Sequence, residues 1–244
     1  MIATAGSPLS ARAQLARAPL IFWALAGWAL AAPAHAADGG RSKAAVSKPE
    51  SAQTDGIVQS AAAARVADWI ASSGDNRSFP YAIIDKKTAA IFLFDAKGKL
   101  LGQAPVLIGI ALGDDATPGV GRKSLGQLGP NEKTTPAGRF LARYGWAAGR
   151  QRMLWVDYAD SVGLHPIPKD AARSERRRER MLSPTSDDNR ITFGCINVPA
   201  SFYARRVQPL FLRKGGYVYV LPDTKSIEEV FPALRAQPYV SAAP

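Results

Sequence analysis

The 244-residue chain contains one cysteine, Cys195, and two histidines, His35 and His165. A thiol held beside an imidazole can attack a carbonyl carbon while the imidazole takes its proton, the chemistry of covalent acyl transfer. A free thiol with a pKa of ~8.5 is mostly protonated at pH 7, so a nucleophilic Cys195 needs a basic or cationic neighbour. So few Cys and His argue against a zinc site, which takes four protein ligands, or three and a water; a lone Cys forms no internal disulfide. No metal and no cofactor is implied. Each residue also has a plain structural reading: a buried Cys packs as a small hydrophobe, and a lone His is more often solvated than catalytic.

Two stretches carry these residues. In Ile191-Thr192-Phe193-Gly194-Cys195-Ile196-Asn197-Val198-Pro199, a Gly before the Cys permits a sharp turn and leaves backbone N–H groups free to meet a carbonyl oxygen, as an oxyanion hole requires. Thr192 adds a hydroxyl beside the thiol, and Asn197 an amide two residues beyond it. In Val162-Gly163-Leu164-His165-Pro166-Ile167-Pro168, Pro166 ends a strand, which puts His165 at a sheet edge or mouth.

Residues 1–36 read as an export signal, with Arg12 and Arg17, an apolar run from Leu20 to Ala32 and a small-x-small site at Ala34-His35-Ala36. The alternative is a retained anchor, but the run is shorter than the ~20 residues that span a bilayer. Removing the segment lowers the formal net charge from +11 to +9 and leaves His165 as the only His beside Cys195. An exported thiol sits in an oxidising compartment, where it is a liability unless it reacts. The basic balance suits an acidic partner, whether nucleic acid, anionic lipid or an acidic polymer. Export argues against nucleic acid, and Gly121-Arg122-Lys123-Ser124 lacks the spacing of a phosphate loop.

The elements that must position the two stretches follow from periodicity. Residues 37–56 are polar and Gly/Ser/Lys-rich, a linker. Over 57–78, Val66, Trp69 and Ile70 share one face of an amphipathic helix. Tyr81 to Ile84, Ala90 to Phe94 and the apolar stretch Leu100 to Ile110 predict strands, with a type I turn at Asp95 to Gly98. A Gly/Pro/Asp-rich loop covers Gly113 to Pro136. Further strands are expected at Gly138 to Tyr144, Leu154 to Tyr158 and Tyr217 to Leu221. Helices are expected at Lys169 to Leu182 and Pro199 to Val207, and 223–244 reads as a C-terminal tail. The class is mainly β, a sandwich or barrel-like domain over 79–222 with short helical insertions and an N-terminal helix.

Over roughly Tyr81 to Pro222 the sequence resembles the L,D-transpeptidase (YkuD-type) catalytic domain, which cross-links or remodels bacterial peptidoglycan. The resemblance rests on five ordered pieces: Val106-Leu107-Ile108-Gly109, Thr135-Pro136-Ala137-Gly138-Arg139-Phe140, His165 after a strand, Thr192-Phe193-Gly194-Cys195, and Gly216-Tyr217-Val218-Tyr219-Val220. It implies that Cys195 attacks an L-to-D peptide bond of a stem tetrapeptide, releasing D-Ala and forming a thioester. It further implies that His165 holds the thiolate or accepts its proton, then helps an acceptor amine or water resolve the thioester. Gly194 and Cys195 N–H groups would form the oxyanion hole, the Pro166 carbonyl would orient the imidazole, and Thr192 and Asn197 would support the site or contact substrate. Peptidoglycan stem peptides are the implied partner, in the periplasm or cell wall, and carbapenem-type acylation of Cys195 is a further implication.

Three departures stand out. Phe193 replaces a His that many members place before Gly-Cys, and Asn197 stands where members carry Arg or Asn. His165 and Cys195 are 30 positions apart, a long connection that holds Arg173, Arg176, Arg177, Arg178 and Arg180. The extra segment reads either as a solvated helix with Glu175 and Arg178 paired at i,i+3, or as a lid that attracts wall carboxylates. Residue types do not separate transpeptidation from hydrolysis by an L,D-carboxypeptidase, and a non-catalytic wall-binding protein that kept the fold is the reading from another class.

Overall fold

The computed structural model describes residues 56–147 and 152–236. The expected export signal and the linker, Gly56 apart, lie outside the described residues. The strands are β1 (Tyr81–Asp85), β2 (Ala90–Phe94), β3 (Leu100–Pro105), β4 (Ile108–Gly109), β5 (Gly138–Trp146), β6 (Arg152–Asp157), β7 (Val162–Pro166), β8 (Arg190–Thr192), β9 (Ile196–Val198) and β10 (Gly216–Val220). Eight of them form one mixed sheet in the order β3-β2-β1-β10-β5-β6-β7-β9, and β4 pairs with β8. Pairing is antiparallel except for β1 with β10, β7 with β9 and β4 with β8. Leu107, just past β3, exchanges backbone hydrogen bonds with Asn197 of β9, both 2.9 Å, which draws the sheet's two ends together. The protein is therefore mainly β, with a nearly closed sheet and short helices.

β1, β2 and β10 are buried along their whole length. Their period-2 alternation sends different chemistry to the two faces. Ala82, Ile84, Ile91, Leu93, Val218 and Val220 enter an aliphatic core, whereas Tyr81, Ile83, Phe92, Phe94, Tyr217 and Tyr219 face helix α1 (Ala61–Ser73). Trp69 of α1 meets Tyr219 edge-on at 6.2 Å between ring centroids and Phe231 at 6.2 Å.

Several elements differ from the sequence-based expectation. The helix expected over 57–78 is shorter, because Ser60 caps its start by accepting the Ala63 N–H at 3.1 Å and left-handed Gly74 ends it. The Asp95 turn forms, with the Asp95 carbonyl accepting from Gly98 N–H at 3.2 Å, but the following apolar stretch divides into β3 and β4. The Arg-rich segment is not one helix. A 3₁₀ turn at Arg173–Glu175 and helix α2 (Arg177–Met181) are separated by Arg176 at φ 49°, a left-handed residue that α-helix does not accept. Its ion pairs are Glu175 with Arg177 and Arg176 with Glu179, not Glu175 with Arg178. Residues 223–236 are folded: α5 (Ile227–Val230), capped by Ser226, brings Phe231 and Leu234 into the aromatic core, and Arg65 of α1 pairs with Glu228.

Trp69→Ala should lower unfolding stability by about 3–5 kcal/mol in urea titrations, since it empties a large volume between α1, β10 and the C-terminal segment. A loss under ~1 kcal/mol would mean that this layer does not unfold with the sheet.

Candidate active site

The parallel pairing of β7 with β9 sets the site. Its register opposes Leu164 to Ile196, His165 to Asn197 and Pro166 to Val198. His165 and Asn197 face each other across this pair, and Cys195 immediately precedes β9, two residues before Asn197. The segments carrying His165 and Cys195, 30 positions apart in sequence, lie side by side because one short strand inserts beside another.

Local chemistry shapes the Cys turn. Gly194 has φ 119°, and a Cβ there would sit 2.7 Å from the Thr134 carbonyl oxygen, so both conformation and space demand glycine. Thr135 bridges this turn to the sheet: its Oγ1 accepts the Gly109 N–H at 2.9 Å and donates to the Gly194 carbonyl at 2.8 Å. Behind Thr135 lies a buried charge network. Lys86 Nζ donates to the Thr135 carbonyl at 2.9 Å, the Gly113 carbonyl at 2.6 Å and Asp114 Oδ1 at 3.0 Å, and it pairs with Asp223 at 3.2 Å. Burial alone would raise the Asp114 carboxyl. The N–H groups of Lys225 and Asp223, the Thr224 hydroxyl and Lys86 overcome that and hold it well below the usual carboxylate range. Arg190 donates to the other Asp223 oxygen at 2.6 Å.

Thr192 does more than flank the thiol. Its Oγ1 donates to the Cys195 carbonyl at 2.6 Å and accepts the Gly194 N–H at 3.2 Å. The expectation that both the Gly194 and Cys195 N–H groups stand free for an oxyanion is therefore not met at Gly194, whose N–H the threonine hydroxyl holds.

The Cys195 thiol is half-buried and points its Sγ at the Ser161 carbonyl, 3.7 Å away. Burial pushes its pKa up, against the pull of the Gly163 N–H and the Arg177 guanidinium. Burial likewise lowers the His165 imidazole; the Pro166 carbonyl raises it and Arg177 lowers it further. Both shifts favour the neutral forms, a thiol and an imidazole. His165 Nδ1 lies 2.8 Å from the Pro166 carbonyl oxygen, which can only accept, so Nδ1 carries the proton and Nε2 presents its lone pair. Asn197 is fully buried, and its Nδ2 lies 3.5 Å from Nδ1 and 3.4 Å from Nε2 of His165. An in-plane position equidistant from both would collide with the ring carbon between them, so the amide lies over the imidazole face. Its Oδ1 accepts from Arg177 Nη1 at 2.8 Å.

Phe193 is partly exposed, and Lys133 Nζ sits 4.2 Å from its ring centroid, a cation–π contact where an imidazole was a possibility. The pairing thus sets His165 and Pro166 against Asn197 and Val198, with Cys195 immediately before β9 and Thr192 bonded to its carbonyl. Sequence reasoning missed Arg177, one of five arginines in its segment, and the roles of Gly163 and Ser161. Thr135 was legible as part of a motif, without its contact.

No family model and no curated protein matches the sequence. Solved structures similar to it include the catalytic domain of the E. faecium L,D-transpeptidase, 18% identical over 59% of this chain and 98% of that one, TM-score 0.35. Others are the Ldtfm-avibactam carbamoyl enzyme, 17% identical over 59% and 49%, TM-score 0.35, and the helical cell shape determining protein Pgp2 from Campylobacter jejuni, 14% identical over 65% and 56%, TM-score 0.37. The chain spans about half the length of these last two. Nothing about individual residues follows from likeness at this level.

Thr135→Val should cost about 1–3 kcal/mol, because the buried Gly109 N–H loses its acceptor, and should slow Cys195 alkylation or make it heterogeneous by freeing the turn. Unchanged stability together with unchanged alkylation would show that the Gly109–Thr135–Gly194 bridge does not hold the nucleophile's loop.

Proposed function

We propose that the chain is a peptidoglycan L,D-transpeptidase, exported by a cleaved signal to the periplasm or cell wall, acting on stem tetrapeptides through a Cys195 thioester. The observation that supports this reading is the β7–β9 register, which lays the strand carrying His165 beside the strand that Cys195 leads into; these are the only His and Cys after the expected signal. The ordered motifs described from the sequence supply the substrate class.

The neutral pair sets the order of events. As Cys195 Sγ attacks the carbonyl carbon of the L-to-D bond, its proton passes to His165 Nε2, the ring nitrogen left free by Pro166. The carbonyl electrons move onto oxygen, and the Cys195 N–H is the donor for that oxyanion, since Thr192 holds the Gly194 N–H. Collapse expels the D-Ala amine, which takes the proton from His165 and leaves a thioester. An acceptor amine then repeats the steps in reverse, with His165 as base and Cys195 as leaving thiolate. Water in place of the amine would give the carboxypeptidase reaction.

Incubation with tetrapeptide-stem muropeptides should yield cross-linked dimers, all of them lost in Cys195→Ala; trimmed monomers alone would assign hydrolysis. A carbapenem-type β-lactam should add once, at Cys195, and absence of both adduct and products would leave the non-catalytic reading. The pH profile has a defined sign. The lowered imidazole must be neutral to accept a proton, so kcat/KM should fall as pH drops through a value below ~6.5 and vary little up to pH 8. An acidic limb centred above that value would contradict a neutral resting pair.

A further inference from the structure

We propose that Arg177 is a positioning residue of this site: the hydrogen bond from its guanidinium fixes the Asn197 amide over His165. The inference rests on Cys195 and His165 acting as a pair. Asn197 is fully buried, and without a donor on Oδ1 its amide could turn over and present oxygen, not nitrogen, to the imidazole. The Arg177 Nη1 hydrogen bond at 2.8 Å selects one orientation. The guanidinium is itself fixed. Nε donates to Glu175 Oε2 at 2.7 Å and Nη2 to Oε1 at 3.4 Å, and the side chain is 11% exposed. The left-handed turn at Arg176 separates Glu175 from α2 and gives these neighbours their pairing.

Among the described residues, the charged and titratable groups around the thiol come from several elements. His165 comes from β7 and Arg177 from α2, with Glu175 behind the guanidinium. Lys133 is engaged with the Phe193 ring, and Asp160, beside the Ser161 carbonyl that receives the thiol, is set against Asp157. Arg177 favours the anionic thiolate and disfavours the imidazolium. It therefore opposes the burial penalty at Cys195 while keeping His165 in the form that accepts a proton. Glu175 tempers that charge. Of the five arginines in the segment, only Arg177 would do this.

The test is the pH dependence of Cys195 alkylation by iodoacetamide in the full exported chain, with unfolding stability recorded for each variant. Arg177→Gln should raise the thiol midpoint by about one unit. Arg177→Lys should recover part of that midpoint, because charge returns, but not the turnover rate, because the fork that orients Asn197 is gone. Glu175→Gln should move the midpoint down, opposite to Arg177→Gln, a pattern that general loosening of the fold does not produce. Midpoints unchanged in all three, or shifted in the same direction by Arg177→Gln and Glu175→Gln, would overturn the proposal. The dyad is read separately from turnover in His165→Ala: if that variant forms products like the parent while the arginine series behaves as stated, the enzymatic reading fails and the electrostatic assignment stands.

Discussion

The parallel contact between β7 and β9 is the constraint on which the site depends. β9 is three residues long and has little pairing energy of its own. It is held because both edges are used, one against β7 and the other through the double hydrogen bond between Leu107 and Asn197. A one-residue slip would turn Asn197 to the opposite face and separate it from His165. Ile196 and Val198, alternating with Asn197, are buried in the aliphatic core, so such a slip would also take two apolar side chains out of that core and put a polar one into it. The opposition of His165 to Asn197 and the packing of the core therefore select the same register.

Around that contact the protein spends polar groups where an apolar core would be simpler. Lys86, Asp114 and Asp223 are buried together, and burial of charge is tolerated only where partners are complete. Here they are: the ammonium meets two carboxylates and two carbonyls, and Asp114 collects donors from residues 223–225. The network ties the C-terminal segment and the loop before β5 to the Thr135 carbonyl, one residue's length from the hydroxyl that holds Gly194. Rigidity at the nucleophile's turn is thereby drawn from three distant stretches of chain.

The legible parts of the sequence were those where local pattern and tertiary demand coincide. The runs at β1, β2 and β10 read as strands because burial on both faces leaves them uninterrupted by polar residues. Cys195 and His165 could be singled out because the sequence after residue 36 holds no other Cys or His. β8 and β9 were not legible, since strands of three residues form only through distant partners. The Arg-rich segment misled for a related reason: its charge spacing suits a helix, but the pairing of Glu175 with Arg177 and the demand of Asn197 for a donor favour the break at Arg176. Which of five arginines matters is a tertiary fact. The held Gly194 N–H likewise depends on a threonine rotamer that no spacing encodes.

The most direct test is the covalent intermediate itself. Acid-quenched intact-mass analysis of the protein mixed with a tetrapeptide-stem muropeptide should show an adduct equal to the donor less its terminal D-Ala, mapped to Cys195. It should accumulate when acceptor is withheld and be lost in Cys195→Ala. Products that form at the same rate in Cys195→Ala, with no adduct at any time in the parent, would contradict the account.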